Sequence, residues 1–583
     1  MGRNSAKGVN FVASDKTGEP TMISSKKEAQ ILASLMLKKG ITDIVISPGS
    51  RNAPLINTFD NVSEFRCFNI VDERSAAFFA MGLALHNQRP VALACTSGSA
   101  LLNYAPALSE AYYQEIPLLV LSADRPVVAI DQGEGQTMRQ DGALNNVVNA
   151  SFTLTGGMRD EEEVAYNTRL INQALNALNH PKKAPVHINI PFAEPLYDLV
   201  DEQLPETNLL QLVQNTNCLL PDQYTPLQET WNKAAKKMIL VGQQMPNKGL
   251  EAVLNRLASD DSVVVLTETT SNIRGERIHT SIDNMVFPMD DDVWKLTPDL
   301  LITLGGQVVS KKIKSWIKEH KPAEHWHVAP YYEVRDTFRV QTHSIVAQPE
   351  DFLDRMECSE VTSDYASKWR KLNDVTRELN REYLGKQEYC DFKVFEEVLE
   401  SLPDNSVLHL SNSTPVRYSQ LFAMKSVEYQ SNRGVSGIDG VVSTAAGYAH
   451  DSHKQNVVVT GDLAFFYDSN ALWNHHLPSN LKVVLINNGG GGIFRFIDGP
   501  AQMPSSEKHF VAAHQTEAKH ISKAFGVNHK QATNLDEAKE GLAWLMNESN
   551  AAVLEVFTPA EKNADVLRNY FKFLKNKIQN IQL

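Results

Sequence analysis

The chain has 583 residues, 42% hydrophobic and 21% charged, with a formal net charge of -13. That length calls for several domains, and the composition excludes disordered and fibrous classes. The acidic balance argues against nucleic acid as a partner, so any anionic ligand has to be met by locally placed cations.

Residues 1–24 are polar, with Arg3 and Lys7 but no apolar stretch, and read as a loose tail rather than a signal peptide. Helical spacing of Ile31, Leu32, Leu35 and Met36 runs to Gly40, and a short apolar strand over 44–46 then breaks at Ser47-Pro48-Gly49-Ser50-Arg51. Strands predicted over 66–71, 91–95 and 118–121 run into Asp72-Glu73-Arg74, Thr96-Ser97-Gly98-Ser99 and Ser122-Ala123-Asp124-Arg125-Pro126, with a helix over 75–86. This alternation predicts a parallel sheet over 25–200 whose carboxyl edge, the usual ligand edge, carries the polar turns.

A polar stretch over 201–230 reads as a linker. Strands near 238–241, 262–266, 300–304 and 325–328 predict a central unit over 231–360, and a charged helical connection over 361–390 follows. A third unit over 391–583 has strands near 406–410, 456–460, 482–486 and 551–557. The fold class is α/β, with three α/β domains built on parallel sheets. Five scattered cysteines, Cys67, Cys95, Cys218, Cys358 and Cys390, show no CxxC spacing, which argues against a disulfide framework or structural zinc and fits a reducing cytoplasm. No apolar run reaches bilayer-spanning length, so no membrane insertion is expected.

The strongest local signal is in the third unit. One predicted strand ends in Gly461-Asp462-Leu463 and the next in Asn487-Asn488-Gly489-Gly490. Adjacent parallel strands would bring a carboxylate and an amide oxygen onto one hard cation beside exposed glycine backbone, which suits Mg²⁺ bridging a diphosphate. Singly, each segment is an ordinary turn. Together they resemble the signature of thiamine-diphosphate enzymes. The resemblance implies a thiamine-diphosphate-binding fold: a pyrimidine-binding domain over 25–200 and a diphosphate-binding domain over 391–583. Asp462, Asn488 and the carbonyl of Gly490 would hold Mg²⁺ or Mn²⁺, with Leu463 beside the cofactor. It also implies that Glu73, read alone as a helix-dipole residue, is the carboxylate that protonates N1′ of the aminopyrimidine.

Ser47-Pro48-Gly49-Ser50-Arg51, Asp72-Glu73-Arg74, Thr96-Ser97-Gly98, Ala123-Asp124-Arg125-Pro126, Ser431-Asn432-Arg433-Gly434 and Ser436-Gly437-Ile438-Asp439-Gly440 narrow the match. This set resembles the succinyl-enolpyruvyl-hydroxycyclohexene-carboxylate synthase family, over roughly residues 25–560. The resemblance implies a transferase of menaquinone biosynthesis that condenses 2-oxoglutarate with isochorismate and releases CO₂. Both substrates are dicarboxylates, which guanidinium forks grip bidentately. The substrate set carried over is Ser50, Arg51, Arg125, Gln136, Lys311, Arg417, Arg433, Ile493 and Phe494. Ser413 is implied as a cofactor contact, and Ile438 as the apolar wedge that bends the cofactor. Gly135, Ala464 and Lys312 depart from the family pattern. A cytoplasmic homodimer with Glu73 and Asp462 in shared pockets, paired into a dimer of dimers, is also implied. The rival readings are another thiamine-diphosphate carboligase of the acetohydroxyacid-synthase type and a non-catalytic cofactor-binding regulator.

Three further features carry no functional expectation. His325 and His327 read as one face of a strand, Asp290-Asp291-Asp292 as a solvated turn, and Gly489 to Gly492 lacks the GxGxxG dinucleotide pattern.

Overall fold

The computed structural model describes residues 22–213, 219–289, 295–358, 361–497 and 499–579. The acidic triplet at 290–292 and Cys218 lie outside them. Three six-stranded sheets, each parallel throughout, account for the three units. In the first, the order from edge to edge is Arg66–Asn69, Asp43–Ile46, Val91–Cys95, Leu118–Asp124, Val186–Pro191 and Ala150–Thr153. The central sheet runs Ile278–His279, Val263–Thr267, Lys237–Val241, Leu300–Leu304, Glu324–Ala329 and His343–Val346. The third runs Glu428–Gln430, Val407–Leu410, Asn456–Gly461, Leu481–Asn487, Ala552–Phe557 and Asn528–Ala532.

In each sheet the strand order reverses beside the first strand of the unit, which opens a crevice at the carboxyl edge. In the first unit the reversal sets the turn after Ile46 against the turn after Cys95. In the third it lies between the strands Val407–Leu410 and Asn456–Gly461, with Leu481–Asn487 next in order. The register pairs Gly461 with Ile486, so Asp462 and Asn488 leave neighbouring strands at nearly the same level.

Residues 221–230, the end of the stretch read as a linker, belong to the helix Pro221–Lys233, whose Trp231 is fully buried in the central unit's core. Its polar exposed face supplied the linker-like composition. His325 and His327 both meet the Thr303 hydroxyl at 2.9 Å, as residues on one strand face would. Burial holds His325 down to about 4, so it is a neutral core histidine.

The units share cores. One apolar cluster joins Phe78, Phe79 and Leu83 of the first unit to Val441, Val458 and Val483 of the third. Another joins Met238 and Leu266 of the central unit, Trp369 of the connecting helix, and Phe392, Leu408 and Leu554 of the third. The first junction is made by helix α1 (Glu73–Asn87), capped by Asp72, crossing helix α2 (Val441–Asp451). The two helices touch backbone to backbone: a Cβ on Gly82 would lie 2.0 Å from the Thr444 carbonyl oxygen, and one on Gly447 would lie 1.9 Å from that of Phe79. Only glycine permits this approach. Arg66 clasps the same junction, with its guanidinium on Asp43 at 2.8 Å and on Asp451 at 2.5 Å.

Candidate active site

At the carboxyl edge of the third sheet, Asp462 opens the short helix Asp462–Tyr467 and is 2% exposed. Its Oδ1 accepts the Leu463 N–H at 2.6 Å and its Oδ2 the Gly490 N–H at 2.9 Å. Burial raises its pKa, and the Gly490 N–H and His514 oppose the rise. Gly490 has φ 140°, and a Cβ there would lie 2.5 Å from the Val511 carbonyl oxygen, so the turn is closed to any side chain. Asn488 turns its Nδ2 to Asp391 Oδ2 at 2.9 Å, while no donor among the described residues engages its Oδ1. A carboxylate, a free amide oxygen and a carbonyl-bearing glycine turn therefore meet in one place. This donor set is of the kind that holds a hard divalent ion, which completes its shell with phosphate oxygens.

The cationic residues form two groups. In one, Lys311 at the start of helix Lys311–Glu319, Arg417, Ile493 and Asp391 line a cavity of about 160 Å³. Arg417 donates to the Ser413 carbonyl at 2.6 Å, and burial together with the charge of Arg433 lowers its pKa. Arg433 is 7% exposed and donates through Nη1 to Asn412 Oδ1 at 2.8 Å, but its Nε–H is buried without a partner among the described residues. It also reaches a second cavity of about 300 Å³ at the strand reversal of the central sheet. Phe494 follows Ile493 in a half-buried turn, and Ile438 is 43% exposed on the loop that carries Arg433.

The second group lies on the first sheet. Arg51 is buried, donating to the Phe192 carbonyl at 3.1 Å and pairing with Glu194 at 3.1 Å. Arg125 donates to the Gly135 carbonyl at 2.9 Å, and both arginines act on the charge of Asp124. Gln136 sits against Gly98, and Ser50 is exposed beside them. No hydrogen bond or ion pair among the described residues joins this group to Asp462 and Asn488. Glu73 enters α1 near Cys95 and Tyr104, whose pKa values its charge helps to raise. Its neighbours contact the third unit of the same chain: Asn470 donates to Asp72 at 2.6 Å, and Arg74 donates to the Tyr467 carbonyl.

Three buried acids that hold these groups in place were not predicted. Glu110, on helix Ala105–Gln114, accepts the Gly434 N–H and, at 2.9 Å, the Val435 N–H, bracing the Arg433 loop across 324 residues of sequence. Glu268 accepts the Val309 and Ser310 N–H groups at 2.6 and 2.7 Å, just ahead of Lys311, and burial pushes its pKa up to about 7. Asp391 anchors Asn488, and burial pushes it up to about 6. Each reads in sequence as an ordinary helix or strand-end acid. The one signal available was an acid amid apolar neighbours, as in Val265-Leu266-Thr267-Glu268.

Comparison with known proteins bears on the same regions. The sequence matches "Thiamine pyrophosphate enzyme, N-terminal TPP binding domain" over residues 26–144, "Middle domain of thiamine pyrophosphate" over 213–410 and "Thiamine pyrophosphate enzyme, C-terminal TPP binding domain" over 416–556. A relative from Flavobacterium johnsoniae, named 2-succinyl-5-enolpyruvyl-6-hydroxy-3-cyclohexene-1-carboxylate synthase, is 45% identical over 554 residues, covering 94% of this chain and 98% of the relative. This chain belongs to that synthase family. Synthases of the same name from Flavobacterium psychrophilum and Bacteroides fragilis are 42% and 40% identical, covering 94% and 95% of this chain and 98% and 100% of their own lengths. The synthase family membership makes the chain a thiamine-diphosphate-dependent transferase; the matched end domains cover four of the six strands of the first sheet and all of the third sheet except Val407–Leu410 and the last residue of Ala552–Phe557. No helix among the described residues is long and apolar enough to cross a membrane.

Proposed function

We propose that the chain joins 2-oxoglutarate to isochorismate by decarboxylative 1,4-addition, giving 2-succinyl-5-enolpyruvyl-6-hydroxy-3-cyclohexene-1-carboxylate and CO₂ in menaquinone biosynthesis. One observation carries the substrate class. Lys311, Arg125, Arg417 and Arg433 have no carboxylate within ion-pairing distance among the described residues of an acidic chain, and the Arg433 Nε–H is buried with no acceptor. Such a donor is costly unless an anion fills its place. Two dicarboxylic substrates supply the acceptors.

When bound, thiamine diphosphate supplies the carbon nucleophile and accepts the electron pair left by CO₂. Glu73 is the group that would hold a proton at N1′ of its aminopyrimidine. Lys311, Arg417 and Arg433 would fix substrate carboxylates on one side, and Ser50, Arg51, Arg125 and Gln136 on the other. Ile493 and Phe494 would exclude water, while Ser413, Leu463 and Ile438 would seat the cofactor. Mg²⁺ or Mn²⁺ is assigned to Asp462, Asn488 and the Gly490 carbonyl, where the donor set fits. A cytoplasmic homodimer, pairing further into tetramers, would place the Arg51 and Arg125 group of one subunit opposite the Asp462 group of its partner. The separation of those groups within one chain supports that arrangement, as do exposed Val127 and Val128 beside Arg125.

Pure protein with thiamine diphosphate, Mg²⁺, 2-oxoglutarate and isochorismate should consume isochorismate and release CO₂. Turnover of pyruvate in place of 2-oxoglutarate would favour an acetohydroxyacid-type synthase, and no turnover with cofactor bound would favour a regulator. Mixing inactive Glu73→Gln and Asp462→Ala subunits should restore activity if pockets are shared. No recovery after proven exchange would place each site within one chain, where α1 already packs on α2.

A further inference from the structure

A segment over 511–516 closes over the glycine turn that follows the strand Leu481–Asn487, and Asn487 donates through its side chain to the Thr516 carbonyl at 2.9 Å. The Gly491 N–H donates to the Val511 carbonyl at 2.6 Å, and the His514 N–H donates to the Gly489 carbonyl at 3.2 Å. This strap places the His514 ring edge-on to Phe466, with centroids 5.6 Å apart. The Thr516 backbone N–H donates to His514 Nδ1 at 3.0 Å. A backbone N–H is an obligate donor, so Nδ1 presents its lone pair and the ring proton sits on Nε2. That Nε2–H is buried and has no hydrogen-bond partner among the described residues, although the ring as a whole is 17% exposed. Asp462 Oδ2 stands 3.6 Å away, beyond hydrogen-bond reach.

A buried donor aimed at a metal-binding carboxylate, yet bonded to nothing, marks a position for an acceptor that the chain does not contribute. The bonded Nδ1 excludes the ring as a metal ligand, because Nε2 keeps its proton. We propose that His514 is a cofactor-binding residue whose Nε2–H donates to an oxygen of the diphosphate. This rests on the metal and diphosphate site described under the proposed function. The strap thereby becomes part of the site, and cofactor binding fixes it over the Gly489 to Gly491 turn.

The test uses the full-length apoprotein, titrated calorimetrically with Mg²⁺ plus thiamine diphosphate and, separately, Mg²⁺ plus inorganic diphosphate. His514→Phe keeps the ring against Phe466 but removes the donor, and should weaken both ligands roughly ten- to a hundred-fold. His514→Gln retains an N–H donor of similar reach and should recover most of that loss. Asp462→Ala is the control, and all variants are checked for an unchanged ligand-free melting temperature. If Asp462→Ala binds like wild type, the site reading itself fails. If Asp462→Ala is weak but His514→Phe lies within twofold of wild type, only the His514 assignment is overturned. Equal losses in Phe and Gln variants would overturn it as well, since the donor would then be irrelevant.

Discussion

Glu110 offers the sharpest test of how the substrate cations are positioned. Its carboxylate accepts two backbone N–H groups of the Arg433 loop, from Gly434 and Val435, and the loop is pressed close enough that a Cβ on Gly434 would lie 2.5 Å from the Glu110 carbonyl oxygen. Burial raises the Glu110 pKa, and those N–H groups oppose the rise, so the bonds favour the ionised form. Glu110→Ala strands two N–H donors, each costing about 1–3 kcal/mol when left unsatisfied. Relaxation and water entry at the rim bring the total to the lower half of that range, roughly 2–4 kcal/mol, or about thirty- to a thousand-fold in population of the competent loop. Glu110→Gln keeps one acceptor oxygen and should lose about half as much free energy. The readout is kcat/KM for each substrate, with hydrogen–deuterium exchange at the cofactor's C2 as the control. With exchange assigned to Glu73 under the proposal, it should be unchanged while kcat/KM falls. If Glu110→Ala keeps kcat/KM within threefold of wild type at unchanged melting temperature, the brace does not position Arg433.

Asp391→Leu should free the Asn488 amide and raise the Mg²⁺ concentration needed for half-maximal cofactor binding about tenfold, with Asp391→Asn closer to wild type; equal Mg²⁺ dependence in all three would refute the anchoring role. Burial pushes the Glu268 carboxyl from its ordinary 4.5 up to about 7, against the Val309 and Ser310 N–H groups, with Asp283, Arg433 and Lys314 facing it. The folded state therefore holds the proton more tightly, so this group's contribution is present in full below pH 4.5 and is lost as pH rises through 7, on the order of 3 kcal/mol in all. Glu268→Gln should flatten the fall in stability between those limits, and denaturant melts at both ends measure it. Gly447→Val should separate α1 from α2 and lower the melting temperature by several degrees, whereas wild-type melting would show that the crossing yields easily. Arg433→Ala should depress turnover while leaving C2 exchange intact, and Glu73→Gln should abolish exchange without substrate; the reverse pattern would exchange their roles.

The convergence of Asp462 and Asn488 on one sheet edge was legible because its parts are local. Asp462 and Asn488 each end a strand, and the sheet's register does the rest. Strands were legible for a similar reason, their apolar runs being short and bounded by turns, with ends differing by up to three residues, as in Leu118–Asp124 against 118–121. The bracing acids were not legible, because a carboxylate on a helix looks the same whether it faces solvent or a backbone N–H hundreds of residues away. Glu110 and Gly434 show nothing of each other in sequence. His514 lies in a polar stretch with no periodic pattern, so its unpartnered proton emerges only once the strap is placed.

The shared cores set how the chain comes apart. Its three sheets are consecutive along the sequence and three family descriptions match it in the same order, yet two of the apolar clusters run through the third sheet into the other units. That third sheet is a keystone: cutting the chain on either side of it exposes apolar surface that no single piece can cover. Fragments bounded by the family matches should therefore aggregate rather than fold, and loss of the third unit should unravel both neighbours together.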